Sequence, residues 1–417
     1  MPSSPKPGTV VDSGDQLPKR LLLSYIALMA LALSLIPFTI DPYLPAFPEI
    51  GQFFGVTNGV VQASFTGVTL GLAIGQLILG PLSDAFGRRP LMLLAIAGYV
   101  ISIGLAFIAP SIELFIAARF FMGFFAAGAD VVGRAIIRDL YRGQSMQRML
   151  AKVYSIQAIA PIAGPIFGSQ ISETFGWQVI LLGFGLISIV LLVVLNFILI
   201  ETLPVARRRS STPLGLARGY LNVMRDRVLI GLIFYAALQL SALFMYLGFS
   251  PFIYQESYGI SQTDYGFWIA LNGIASYIGV QAGAILARYI KGQWILAVTA
   301  FLGVGVGLGL LLNAGGAFWI TQAMFFLQLF IFGAAITIIP TIALYNHGSE
   351  AGTATSLMGV FGFTFSTVLS LFYFLINSAD TRDVGIAIGA LFGASLVCLL
   401  LISRPWLIPD LRKPDVL

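Results

Sequence analysis

The sequence predicts an all-α membrane protein of twelve transmembrane helices, arranged as two pseudo-symmetric six-helix bundles with both termini cytoplasmic. Apolar stretches of spanning length recur along the whole chain. Basic residues gather on alternate loops. One long polar interruption divides the spans six and six.

Of the 417 residues, 58% are apolar and 10% charged, a balance that soluble domains of this length do not have. A bilayer core of roughly 30 Å needs about 20 apolar residues per helix. Stretches of that kind begin near Leu21, Val60, Pro90, Ile112, Met149, Trp177, Val228, Asp264, Gln293, Ala317, Thr353 and Arg382. Several are thick with glycine, which membrane helices tolerate better than soluble ones. Barrel strands would run about ten residues and alternate apolar with polar, and nothing here alternates.

Orientation follows from the basic residues. With the N-terminal tail placed inside, the inner segments hold Lys19, Arg20, Arg88, Arg89, Arg138, Arg142, Arg148, Lys152, Arg207, Arg208, Arg209, Arg218, Arg225, Arg227, Arg288, Lys291, Arg404, Arg412 and Lys413, and the outer loops only Arg382. That is the positive-inside pattern. The net charge of +5 is therefore a topology signal and does not point to nucleic acid. Residues 1–20 read as a cytoplasmic tail, 21–200 as the first bundle, 201–227 as a basic cytoplasmic linker, 228–404 as the second bundle and 405–417 as a second tail. No cleavable signal peptide precedes the first span, so that span is expected to be retained.

The halves suggest a duplication, as in alternating-access transporters with a midplane binding site. Their internal likeness is faint. "GPLSDAFGRRPLML" after the second span has only a weak counterpart in "GAILARYIKGQWIL" after the eighth.

Several functions are excluded. The single cysteine, Cys398, supports no disulfide framework, and the single histidine, His347, sits in a loop and makes no metal site. No phosphate-binding G-x-x-x-x-G-K-[ST] loop occurs, and no Ser/His/Asp set or carboxylate pair suggests an enzyme. Active transport is then expected to run on an ion gradient, without cofactor or metal.

The run Gly80-Pro81-Leu82-Ser83-Asp84-Ala85-Phe86-Gly87-Arg88-Arg89-Pro90 joins spans 2 and 3 on the inner side. Glycine permits its sharp turn. Asp84, at the inner end of span 2, is positioned to meet the positive N-terminus of span 11, which starts on the same side. The plainer reading is a solvated loop carrying positive-inside charge.

This run resembles the signature loop of the major facilitator superfamily. Further segments narrow the resemblance to its proton-coupled drug exporters of the Bcr/CflA type. They are Ile40-Asp41-Pro42-Tyr43-Leu44-Pro45-Ala46-Phe47-Pro48-Glu49-Ile50 at the end of span 1, Arg119-Phe120-Phe121-Met122-Gly123 in span 4, and Arg134-Ala135-Ile136-Ile137-Arg138-Asp139-Leu140-Tyr141 at its exit. Gly164-Pro165-Ile166-Phe167-Gly168 in span 5 resembles the antiporter motif, and Glu201-Thr202-Leu203-Pro204 the end of span 6. Pro42 and Ser169 depart from the pattern, and the second half matches by topology only. The resemblance implies transport by alternating access, with Asp139 pairing Arg88 in a relay with Asp84, and with Gly164, Pro165 and Gly168 sealing the halves against leak.

Asp41 stands in an apolar span, where a carboxylate is costly and usually functional. Apolar surroundings make such a group hold its proton more firmly, which fits a proton carrier. The alternative is an inert, exposed place at the outer membrane edge. Arg119 lies at a similar depth and is its natural neighbour, either linked to proton transfer as the resemblance implies or simply an ion pair fixing helix packing. Asp130 follows Arg119 by three helical turns on the same face. It is a candidate second proton site, or else an i,i+4 partner of Arg134.

Pro165 bends span 5, and its glycines admit close neighbours. Gly67, Gly71 and Gly75 in span 2 repeat at four-residue spacing and read as helix packing. In the second half, Tyr235, Gln239, Ala242 and Tyr246 fall on one stripe of span 7, Asn272 and Ser276 on one stripe of span 8, and Tyr277 and Gln281 on another. Aromatic rings with polar tips suit an amphipathic ligand, and interhelical hydrogen bonding is the alternative for each. Tyr235, Gln239, Tyr246, Asn272, Tyr277 and Gln281 are the candidate substrate contacts. No acid or base is expected inside spans 7–12, so proton handling falls to the first half.

The expected function is proton-coupled antiport of drugs or other amphipathic small molecules out of the cytoplasm. The expected setting is a bacterial inner membrane, with the chain a multi-pass monomer whose partners are substrate, protons and the lipid bilayer. A proton-coupled exporter of an amino acid or sugar, and a passive facilitator or sensor on the same fold, stand as alternatives.

Overall fold

A computed structural model describes residues 19–141, 146, 149, 152–153, 156, 159–208, 226–343, 351–373 and 380–410. His347, Arg142, Arg148, Arg209 to Ser211, Arg218, Arg225, Arg412, Lys413 and nearly all of the N-terminal tail lie outside the described residues.

Among the described residues every element is helical. The first predicted span is broken into α1 (Lys19–Leu33), α2 (Leu35–Ile40), a 3-10 turn (Asp41–Ala46) and α3 (Phe47–Phe54), with a bend of 44° at the first break. Pro42 and Pro45 cannot donate the backbone bonds that would continue an α-helix, and the tighter turn takes over there. Next come α4 (Asn58–Phe86), α5 (Arg88–Phe107), α6 (Ile112–Leu140), α7 (Ala160–Phe175) and α8 (Trp177–Ile198). The second half supplies α9 (Arg227–Phe252), running on into a π-turn (Ile253–Ser257), then α10 (Gln262–Leu286), α11 (Gly292–Leu312), α12 (Phe318–Ala343), α13 (Ala351–Tyr373) and α14 (Thr381–Val397).

Apart from the stretch from Met149, which is only partly described, each span starts within two residues of its expected place. Nine described helices are long and apolar enough to cross a membrane, and the bent first span makes ten. The remaining two spans are represented by α7 and α13. The all-α, multi-pass reading holds.

The described residues pack as two compact units, one falling within Met1–Tyr43 and Ser64–Thr212 and the other within Leu44–Ala63 and Pro213–Leu417. In the first unit α4 and α6 interlock through glycine. A Cβ at Gly71 would run into the Phe120 carbonyl, one at Gly75 into that of Phe124, and one at Gly123 into that of Val68. The expected packing role of Gly67, Gly71 and Gly75 is thus met by backbone-to-backbone approach. Phe115 and Trp177 close the α6–α8 contact edge to face, ring centroids 5.3 Å apart.

The second unit repeats the device at the corresponding pair of spans. Gly279 and Gly283 of α10 lie against the Phe330 and Ala334 carbonyls of α12, and Gly333 answers against the Ser276 carbonyl. An apolar core of Leu229, Leu232, Leu296, Ile338 and Leu399 ties α9, α11, α12 and the π-helical continuation of α14 (Cys398–Ser403) together. The stretch Leu44–Ala63 packs in this unit. The Pro45 carbonyl accepts from Gln255 Nε2 (2.9 Å) and Gln262 Nε2 (3.1 Å), and Asn58 Nδ2 donates to Glu256 Oε2 (2.6 Å).

Gly71→Ala is expected to destabilise the protein by about 1–3 kcal/mol, because the clash is with backbone and no side chain can yield. Gly104→Ala, where a Cβ meets nothing within 4 Å, is expected to be neutral or stabilising by about 0.5–1 kcal/mol. Melting temperatures of the two variants in one detergent check the pair.

Candidate functional site

The broken first span is held by its neighbours in the first unit. Arg119 of α6 is 1% exposed. Its Nη1 donates to the Thr39 carbonyl (2.7 Å), and its guanidinium lies 4.4 Å from the centre of the Tyr43 ring. The Thr39 hydroxyl donates to the Leu35 carbonyl (2.6 Å) and pairs with the Tyr99 hydroxyl of α5 (2.8 Å). Asp41 lies between these two anchors, 8% exposed. Its other neighbour is α7. A Cβ built on Gly164 would stand 3.2 Å from the Asp41 Cβ, and one on Gly168 would collide with the backbone of Pro42. The structure therefore brings Asp41, Arg119, Gly164 and Gly168 into one place.

Equal depth allowed a direct Asp41–Arg119 contact, but no such ion pair forms. Arg119 grips the helix backbone on one side of the carboxylate and the aromatic ring on the other. Its Nε and Nη2 have no hydrogen-bond partner among the described residues. Asp130, 1% exposed, is bound to Arg134: Oδ1 accepts from Nε at 3.0 Å and from Nη2 at 2.9 Å. The i,i+4 arrangement is the one observed.

The loop after α4 is a charge network. Arg88, 3% exposed, reaches Asp84 Oδ1 (2.7 Å), Asp139 Oδ2 (2.9 Å) and the Ser83 hydroxyl (2.6 Å). Gly87 turns the chain with φ 106°, and a Cβ there would also strike Glu201 and Arg208. Gly80 sits tight against Val131, 3.1 Å from a built Cβ. Arg89 points elsewhere, donating to the Leu199 carbonyl through Nε and to the Asn196 carbonyl through Nη2, both at 2.9 Å.

In the second unit the substrate candidates divide. Tyr235 Oη donates to the Leu296 carbonyl (2.9 Å) and lies 2.9 Å from the Thr299 hydroxyl, and Gln239 Nε2 donates to Ser395 (3.4 Å). Asn272 Nδ2 donates to Tyr246 (2.8 Å), its Oδ1 accepts from Gln322 Nε2 (2.9 Å), and Gln322 Oε1 accepts from Tyr254 (2.5 Å). These residues are buried and bound across helices. Tyr277 and Gln281 are exposed on α10.

The Major Facilitator Superfamily model matches residues 22–371. The chain is a member of the major facilitator superfamily. One relative, an uncharacterized MFS-type transporter (YdgK) of Bacillus subtilis, is 30% identical over 84% of this chain and 88% of its own. A bicyclomycin resistance protein homolog of Haemophilus influenzae is 29% identical over 67% of this chain and 74% of its own. Among solved structures, a bacterial homolog of the human lysosomal transporter Spinster, inward-facing and unoccupied, superposes with TM-score 0.73 at 12% identity. It covers 94% of this chain and 98% of that one, a likeness of fold.

Within this superfamily member, Glu201, quoted in its run but given no role there, holds the start of α5. Its Oε1 accepts from the Arg88 backbone N–H (2.9 Å) and its Oε2 from that of Arg89 (3.3 Å), so a carboxylate from beyond α8 closes the N-terminus of α5. Thr202 joins it to the network through Asp139 Oδ2 (3.2 Å). Tyr43, Thr39 and Tyr99 were likewise absent from the expected set. The signal for Glu201 was its place in Glu201-Thr202-Leu203-Pro204, an acid just past a span end. Glu201→Ala is expected to lower stability by about 1–2 kcal/mol, since buried donors at a helix start lose their acceptor. Glu201→Gln, which keeps one acceptor oxygen, is expected to recover part of that, read as melting temperature.

Proposed function

We propose that this facilitator is a proton-coupled antiporter that exports amphipathic small molecules, drugs among them, from the cytoplasm by alternating access. The observation that carries the reading is Asp41, a carboxylate enclosed at the break in the first helix and packed on Gly164 beside a buried arginine. A group in that position changes its charge by taking or giving a proton, and its charge alters how the surrounding helices pack. The resistance-protein name of the Haemophilus relative supports drugs as the substrate class.

In this reading Asp41 takes a proton from the outer side and gives it up inside as substrate binds. Arg119 lowers the energy of the ionised form without clamping it, because its bonds go to the Thr39 carbonyl and the Tyr43 ring. Asp130 is secondary, since Arg134 already balances it. The Arg88 network with Asp84 and Asp139 serves as the conformational switch, and the Gly164–Gly168 contact keeps the proton path sealed. Tyr277 and Gln281 are the candidates for direct substrate contact. Gln281 supplies a polar amide on that face beside the exposed Ile274, Ile278 and Ile285, a mixed surface that suits an amphipathic ligand. Tyr235, Gln239, Tyr246 and Asn272 act through the shape of the wall they hold.

The chain is assigned to a bacterial inner membrane with both ends inside, from the basic asymmetry and the bacterial relatives. One inward proton releases about 2.3 kcal/mol per 100 mV. At about 1.4 kcal/mol per tenfold ratio, one-for-one exchange with a neutral drug sustains roughly a forty-fold gradient per 100 mV.

The test is drug susceptibility in an efflux-deficient bacterial host expressing wild type or Asp41→Asn at matched membrane levels, against phenicols and lipophilic cations. Wild type is expected to confer resistance and the variant to lose it. Equal resistance in both would remove Asp41 as the proton site. No resistance from well-expressed wild type would favour a metabolite exporter.

A further inference from the structure

We propose that the groove between α5 and α8 binds an anionic phospholipid, with an acyl chain in the groove and the phosphate at Arg89. The groove has a volume of about 640 Å³ and is lined by Leu93, Leu94 and Ala97 of α5 and by Val193, Asn196 and Phe197 of α8. Its rim is apolar and open, with Leu94 53% and Phe197 68% exposed. Both helices are membrane spans, so the medium against this face is lipid.

Charge selects the kind of lipid. Arg89 stands at the end of the groove, its Nη2 bonded to the carbonyl of Asn196, a lining residue. The nearby Arg88 is answered by Asp84 and Asp139, and Arg208 faces Glu201 at 3.7 Å. The Arg89 side chain bonds only the Leu199 and Asn196 carbonyls, and no described carboxylate lies within ion-pair distance. Its Nη1 has no hydrogen-bond partner among the described residues. From Arg89 to Ala97 is eight residues, roughly 12 Å of helix, which matches a headgroup at the interface with its chain running inward along the groove. A zwitterionic headgroup brings its own cation to the site, whereas a phosphate with net negative charge supplies the missing counter-ion.

The test uses the full chain, purified in mild detergent and given equal amounts of phosphatidylglycerol and phosphatidylcholine with identical acyl chains, with retained lipid counted by native mass spectrometry. Wild type is expected to retain phosphatidylglycerol about fivefold over phosphatidylcholine, the preference that one arginine gives beside a membrane surface. Arg89→Gln is expected to abolish the preference and Arg89→Lys to keep it, since lysine preserves the charge but not the paired carbonyl bonds. Ala97→Phe, which fills the groove, is expected to reduce retention of both lipids. Equal retention by wild type, a preference surviving in Arg89→Gln, loss of the preference in Arg89→Lys, or unchanged retention in Ala97→Phe would each overturn the proposal. If Arg89→Gln fails to fold, the lysine and phenylalanine variants still decide it.

Discussion

Gly168 lies so close to Pro42 that no side chain fits between them, and the arrangement of the first unit depends on that approach. A membrane span cannot leave backbone groups unsatisfied in hydrocarbon, and Pro42 and Pro45 replace α-helix with a 3-10 turn in the apolar part of the first span. Neighbours hold that turn in place. Arg119 reaches in from α6 to the Thr39 carbonyl, the Thr39 hydroxyl meets Tyr99 from α5, and α7 closes the remaining side with glycine. Asp41 lies in this turn, and its surroundings are set by groups from three other helices.

A second junction is built by exchange. α5 begins where α8 ends, and each helix supplies the cap of the other. Glu201, just past α8, places its carboxylate on the N-terminal donors of α5, while Arg89, on α5, places its guanidinium on the last carbonyls of α8. Each charge sits at the helix end whose dipole favours it. Gly87 makes the exchange possible, because it both turns the chain through a positive φ and leaves the space that Glu201 fills. Arg88, between Asp84 and Asp139, is therefore fastened at its backbone as well as at its side chain. A shift of α6 that moved Asp139 would draw on the start of α5 and, through Thr202, on the end of α8.

Hydropathy made the spans legible almost to the residue, because a bilayer demands one length and one composition of every crossing segment. Glycine spacing made the α4 packing face legible for the same reason: a four-residue repeat has one geometric meaning on a helix. What sequence reading missed depended on the direction of long side chains. Arg119 and Asp41 share a depth, but the rotation of α6 sends the guanidinium to Thr39 and Tyr43, and depth alone carries no rotation. Glu201 and Arg88 are 113 residues apart, and no local pattern announces that pairing. The stripe Tyr235, Gln239, Tyr246 was read correctly as one face, but a face of α9 can meet either a ligand or its own helical neighbours, and here it meets α10, α11 and α14. The packing of Leu44–Ala63 with the second unit was likewise invisible, because bundle order in the sequence says nothing about which helix ends stay with which bundle.

The two halves share a frame and differ in what they bury. The glycine contacts of α4 with α6 recur in α10 with α12, as expected of a duplicated ancestor. Among the described residues, however, the buried charged side chains, Asp41, Arg88, Arg119, Asp130 and Glu201, all belong to the first unit. The second buries neutral amides and phenols instead, and Asn272, Gln322, Tyr246 and Tyr254 bond one another across α9, α10 and α12. A neutral knot with its partners satisfied has one stable arrangement and resists change. A buried charge is stable only with its counterpart in place, so a proton gained or lost alters the balance of the structure around it. Among the described residues, then, the charge that a conformational change would have to accommodate is buried in the first unit, and the second is held by neutral groups bonded to one another.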